Sequence, residues 1–212
     1  MPTDLIEIDP LSPDAGALDR AAEIVRAGGV IAIPTDALYA LVADPFNLRA
    51  IREVYRAKGR EINRALPLLV ADMLMAEDLA REVTPRFRLL ARRFWPGPLT
   101  MILEAAAGVP LRATGNTGRL GVRHAESAVV DGLLARLGQA VIATSANISG
   151  HPTCRSGIEV FGMMDGRVDL VLDAGFLGGV GATTVDISGT DWRVIKEGAV
   201  SERDLAECLD LE

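Results

Sequence analysis

Leu18, Ala21, Ala22 and Val25 recur at helical spacing after Ser12-Pro13-Asp14, and Gly28-Gly29 closes the run, which predicts a first helix. Residues 30–33 are wholly apolar, as in a strand covered on both faces, and Pro34-Thr35-Asp36 ends them in a loop. Asn47 can cap a second helix with Leu48, Ile51, Val54 and Tyr55 on one face and Gly59 as its stop. Residues 66–71 predict another buried strand. Asp72 and Thr84-Pro85 each offer a helix start, the second leading into Phe87, Leu90, Ala91 and Phe94. Strands are predicted at 99–103, 121–123 and 140–144, with a helix at 128–137 closed by Gly138. Residues 169–172, 183–187 and 193–196 read as further strands, and Ser201 with Asp204 forms a capping box for a closing helix.

Strands and helices alternate, yet several connections are too short for a helical crossover, so strand directions must be mixed. The expected fold is α/β: one domain over residues 1–212, with a twisted sheet of parallel and antiparallel strands flanked by helices. Composition agrees. Apolar residues make up 49% of the 212 and charged residues 24%, which excludes a disordered tail or a disulfide scaffold. Aromatics are only 4%, so the core must come from Ala, Val, Leu and Ile. The formal net charge of −7 gives no overall attraction to nucleic acid or an anionic membrane, so any anion site must be local. No apolar run approaches a membrane span and no leader segment opens the chain; a cytoplasmic protein is expected, with Cys154 and Cys208 reduced.

Familiar catalytic devices are missing: no phosphate-loop motif, no nucleophile elbow, and only His124 and His151, which read as surface or loop residues. The glycine run 175–181 leads toward a strand and reads as a turn. Four segments remain at element ends, where α/β sheets collect ligands: Pro34-Thr35-Asp36-Ala37-Leu38-Tyr39, Lys58-Gly59-Arg60, Trp95-Pro96-Gly97-Pro98-Leu99-Thr100, and Thr144-Ser145-Ala146-Asn147-Ile148-Ser149-Gly150. Lys58 and Arg60, two apart in extended chain, point to one side and can clamp a polyanion such as a triphosphate; Ser145 and Asn147 repeat the geometry with neutral donors. Taken singly, the two cations also suit a helix C-terminus and Ser-Ala-Asn also suits a turn.

Taken together and in order, these segments resemble the YrdC-like family of L-threonylcarbamoyladenylate synthases. The likeness runs from roughly residue 20 to 200 and adds Val122-Arg123 and Thr184-Val185-Asp186. It implies a concave ligand-binding surface and a nucleotidyltransferase that joins L-threonine, bicarbonate and ATP into threonylcarbamoyl-AMP, releasing pyrophosphate, for threonylcarbamoyladenosine (t6A) modification of tRNA. By resemblance, Lys58 and Arg60 are the catalytic cations, and Lys58, Arg60, Ser145, Asn147, Thr153 and Lys196 hold ATP. Thr35, Arg123, Thr144 and Thr183 surround threonine and carbamate. Mg2+ rides on ATP with no metal site in the protein. Contacts with double-stranded RNA or tRNA and with tRNA-modification proteins belong to the same expectation.

The chain departs from the family pattern at five places. Ala40 and Val42 stand where glycines are usual, and their side chains are expected to crowd a ligand. Glu61 puts a negative charge beside the phosphate clamp, Ser127 ends a lost Arg-x-Pro-x-His continuation, and Lys196 replaces an arginine, keeping charge but not the fork. The Tyr39-Ala40-Leu41 variant and the stretch 173–178 resemble YciO-type paralogues, which leaves two alternatives: a noncatalytic nucleotide- or RNA-binding module, or a carbamoyl-adenylate enzyme with another acceptor. An RNA module requires Lys58, Arg60, Arg64, Arg119 and Arg123 to converge on one face.

Overall fold

The computed structural model describes residues 2–60 and 64–209. In chain order it holds β1 (Asp4–Glu7), α1 (Ala15–Arg26), β2 (Ile31–Ile33), β3 (Ala40–Ala43), α2 (Leu48–Lys58), β4 (Leu68–Leu69), α3 (Met73–Leu79), α4 (Pro85–Phe94) and β5 (Leu99–Glu104). Then follow β6 (Arg119–Arg123), α5 (Ala128–Leu137), β7 (Val141–Ser145), α6 (Gly157–Met164), β8 (Leu170–Asp173), β9 (Thr183–Asp186), β10 (Arg193–Lys196) and α7 (Glu202–Leu209). The strands form one sheet in the order β1-β8-β2-β3-β7-β4-β6-β5-β9-β10. The β8 pairs with β1 and β2 are parallel, as are β4–β6 and β5–β9, whereas β2–β3, β3–β7, β4–β7, β5–β6 and β9–β10 are antiparallel.

The helix starts follow the caps read from the sequence. Asp14, Asn47, Asp72 and Thr84 each accept a backbone N–H from the first turn with the side chain. Gly59 and Gly138 stop α2 and α5 with φ of 61° and 68°, a conformation cheap only for glycine. Ser201 and Asp204 exchange hydrogen bonds at the start of α7 as a capping box.

Three elements are additional to the expected set. β1 is a short, largely exposed edge strand. β3 is alanine-rich and follows a turn signal, so its strand character rests on being paired on both sides, by β2 and β7. α6 carries Gly157, Gly162, Ile158 and Val160, poor helix formers held by packing on β8. The strand expected at 66–71 contracts to Leu68–Leu69.

Because strand residues alternate, each face has its own core. Ile31, Ile33, Val42, Leu69, Val141 and Leu170 pack under α1 and α5. Ala32, Leu41, Leu68, Leu99, Met101 and Val185 pack in the larger core with the other helices. The α1–α5 layer extends only as far as Leu69 of β4, and beyond it Thr100, Gly121, Arg123 and Thr184 line clefts instead of packing under a helix. That uncovered half-face holds the site. Among the described residues no helix is long and apolar enough to cross a membrane.

Candidate active site

A cavity of about 240 Å³ lies where β2 and β7 end, beside the uncovered half-face. Thr35, Arg123, Thr144, Ser145, Thr153 and Lys196, all singled out in the sequence, line it, with Pro67, Thr100 and Thr184 as its floor. Those three floor residues also line a second cleft of about 530 Å³, walled by Ile102, Arg119, Asp186, Arg193 and Ile195, so the two spaces adjoin.

The loop after β2 is fixed by its own side chains. Thr35 donates its hydroxyl to Leu38 O (2.7 Å) and accepts the N–H groups of Ala37 (3.1 Å) and Leu38 (3.3 Å). Tyr39 is buried and donates to Gly175 O at 2.8 Å, while Ala174 N–H donates to the phenol at 2.9 Å. Burial, then the nearby Asp173 carboxylate working against the Ala174 bond, pushes that phenol up to about 12, so it stays protonated. Residues 174–182 cross the loop so closely that a Cβ on Gly179 would sit 2.2 Å from Ala37 O.

Lys58, at the end of α2, is 2% exposed and is absent from the cavity wall. Its Nζ donates to Ser145 O (2.6 Å), Asn147 O (3.0 Å) and Asn147 Oδ1 (3.0 Å), and lies 3.3 Å from Ser145 Oγ. Ser145 Oγ donates to Asn147 Oδ1 at 2.6 Å, and Asn147 Nδ2 donates to His151 O at 2.5 Å. The Ser-x-Asn segment is therefore a turn clasped by Lys58. Burial, then the Arg60 guanidinium, draws the Lys58 ammonium down to about 7 against four surrounding oxygens that favour its charged form. Arg60 lies over the Tyr55 ring at 5.4 Å, and its Nε has no hydrogen-bond partner among the described residues.

Arg123, at the end of β6, is 9% exposed. Its Nε donates to Gly97 O at 3.0 Å and its Nη2 donates to the Asp36 carboxylate. Burial lowers its pKa, and the Asp36 charge and hydrogen bond act the other way. Trp95 holds the adjoining turn: its indole N–H donates to Leu99 O at 2.7 Å, and its ring meets Phe87 and His124 edge-on.

Several expectations need correction. Thr183 does not line the cavity; its hydroxyl donates to Val200 O at 2.6 Å on the opposite face. Thr184 takes its place, because Thr183 and Val185 share the core side of β9 and the residue between them faces out. The alternation carried that signal. Val42 packs in the core and crowds nothing, whereas Ala40 does reach the cavity. Ser127 caps α5 and accepts Val130 N–H at 3.4 Å. Lys58, Arg60, Arg64, Arg119 and Arg123 do not form one free basic face, since Lys58 and Arg123 are buried and Arg119 pairs with Asp186 at 3.4 Å. Glu61 lies outside the described residues. Asp36, Thr100 and Thr184 were not singled out individually, though each lies in a quoted motif.

The Sua5/YciO/YrdC family model, described as "Telomere recombination", matches residues 23–198. The chain belongs to the Sua5/YciO/YrdC family. The threonylcarbamoyl-AMP synthase of Pyrococcus abyssi is 34% identical over 173 residues, 81% of this chain and 50% of that protein. The enzyme of the same name from Bacillus subtilis is 30% identical over 199 residues, 93% of this chain and 58% of that protein. This Sua5/YciO/YrdC chain thus spans about half the length of these two relatives. Among solved structures, P. abyssi Sua5 complexed with L-threonine superposes with a TM-score of 0.93 at 28% identity, covering 98% of this chain and 61% of that one. Escherichia coli YciO superposes with a TM-score of 0.88 at 27% identity, covering 96% and 99%. The likeness to both branches of the family matches the mixed motifs in the sequence.

Proposed function

We propose that this chain is a threonylcarbamoyl-AMP synthase that uses ATP, L-threonine and bicarbonate and releases pyrophosphate. The observation that carries the reading is a single cavity bounded by the Lys58-clasped Ser-x-Asn turn on one side and Arg123 on the other. Relatives named threonylcarbamoyl-AMP synthase and a structural neighbour complexed with L-threonine support it. In this reading the threonine amine adds to CO2 with loss of a proton, or to bicarbonate with loss of water, and an oxygen of the resulting carbamate attacks the α-phosphorus and expels pyrophosphate. The protein supplies position and positive charge more than an acid or base. Arg123 faces the threonine carboxylate, with Thr35 and Thr144 around the amino acid. Ser145, Thr153 and Lys196 face the phosphates, Arg60 adds its charge, and Lys58 and Asn147, whose amide is spent on Lys58, Ser145 and His151, act through the turn they form. Adenosine extends into the adjoining cleft over Pro67, between Ile102 and Ile195.

None of the cavity-lining residues is a carboxylate, and no cluster of three or more His, Cys, Asp or Glu among the described residues could hold a metal. The wall does offer the hydroxyls of Thr144, Ser145 and Thr153, which would suit the waters of an ATP-bound ion. Mg2+ bound to ATP would neutralise charge on the triphosphate. A cytoplasmic role in t6A modification of tRNA, with its partner proteins and any RNA contact, belongs to this reading.

A second reading, a nucleotide-binding paralogue without this chemistry, is favoured by the likeness to YciO over 99% of that shorter chain. The deciding experiment measures pyrophosphate release at saturating ATP and bicarbonate with threonine, serine and valine. Threonine should be best. Serine loses a methyl contact worth about 1 kcal/mol, roughly a fivefold drop in kcat/KM. Valine leaves the hydroxyl's partner unpaired, about 1–3 kcal/mol, and falls ten- to a hundredfold. ATP binding with no amino-acid dependence would select the second reading; turnover with another amine would select a different carbamoyl acceptor.

A further inference from the structure

We propose that Asp36 is a positioning residue that aims Arg123 at the amino-acid substrate, an inference that rests on the synthase reading. Arg123 crosses from the end of β6 to two loops far away in sequence. Asp36, in the loop after β2, takes its Nη2, and Gly97, in the turn before β5, takes its Nε. The two side chains of the ion pair are 11% and 13% exposed, so neither charge is well hydrated. A guanidinium is a planar fork, and fixing two of its nitrogens fixes the direction of the remaining edge. The wall on which that edge lies bears no carboxylate of its own.

The Gly97 support is itself rigid. Its N–H donates to His124 O at 2.8 Å, next to Arg123 in sequence, and a Cβ at Gly97 would lie 2.6 Å from Phe94 O. Arg123 therefore cannot follow a ligand; the ligand must fit Arg123. Without the Asp36 charge, the arginine keeps its attraction for a carboxylate but loses its aim. Asp36 also balances the Arg123 charge when the cavity is empty, at a site where burial disfavours a lone cation.

The test varies threonine at saturating ATP and bicarbonate in the full chain carrying Asp36→Asn or Asp36→Glu, with titration calorimetry of L-threonine alone as a second readout. Asp36→Asn should raise the threonine KM and the calorimetric Kd about tenfold while the ATP KM stays within about twofold, and Asp36→Glu should recover most of the loss. A purely structural role would move both KM values together or only the melting temperature. Should Asp36→Asn not fold, Asp36→Glu must still raise the threonine KM alone, because one extra methylene shifts the fork. An unchanged or lower threonine KM, or equal rises for threonine and ATP, overturns the proposal. If the wild-type chain binds threonine but releases no pyrophosphate, only the synthase reading fails and the calorimetric comparison decides for Asp36; if it binds no threonine, both fall.

Discussion

Replacing Lys58 with methionine is expected to weaken ATP binding about ten- to a hundredfold, the loss of one charged hydrogen-bonding partner worth about 1.5–3 kcal/mol. The route is indirect. Methionine nearly fills the space but leaves Ser145 O, Asn147 O and Asn147 Oδ1 without the donor that gathers them, so the turn no longer holds Ser145 toward the cavity. Calorimetry with ATP checks the affinity, and unchanged binding would exclude the clasp from nucleotide recognition. Protonation gives a second signature. In the folded chain the Lys58 ammonium titrates near 7, below its ordinary 10.5, so between those values the unfolded state binds more protons. This group's contribution therefore makes stability rise with pH through that window, and its burden is fully present below pH 7. Urea melts at pH 7 and 9 should show the wild type gaining relative to Lys58→Met, by at most about 1.4 kcal/mol per pH unit. ATP affinity moves the opposite way, falling as the ammonium is lost, and ATP binding near pH 8 should take up a proton.

A second large effect is expected from one methyl group. Gly179→Ala places a Cβ 2.2 Å from Ala37 O, against backbone that has no rotamer to adopt. Relief requires the crossing loop and the Thr35 loop to separate by about 1 Å, and misplacement on that scale costs about a hundredfold in kcat/KM. Gly178→Ala is the control, since its Cβ would meet only Phe176 Cε1 at 3.9 Å. Pyrophosphate release should fall in the first variant and persist in the second. Equal activities would show that the Thr35 loop does not depend on this contact.

The apolar periodicity, the caps and the punctuating glycines of this sequence determine α1, α2, α4, α5 and the buried strands other than β3, because those signals act within a few residues of one another. The motifs bring Thr35, Ser145, Asn147 and Arg123 to element ends by the same local logic. Strand alternation even distinguishes Thr184 from Thr183, once Val185 is known to face the core. Tertiary structure decided the remainder. β3 is a strand because β2 and β7 flank it, and α6 is a helix because β8 receives it, although their own residues favour neither state. Whether Lys58 points at a ligand or at the neighbouring turn depends on oxygens 87 and 89 residues away in sequence. The Asp36–Arg123 pair joins partners 87 residues apart. Such contacts leave no periodic trace in the chain, since their geometry exists only after the sheet has assembled β2, β3, β7, β4 and β6 in that order.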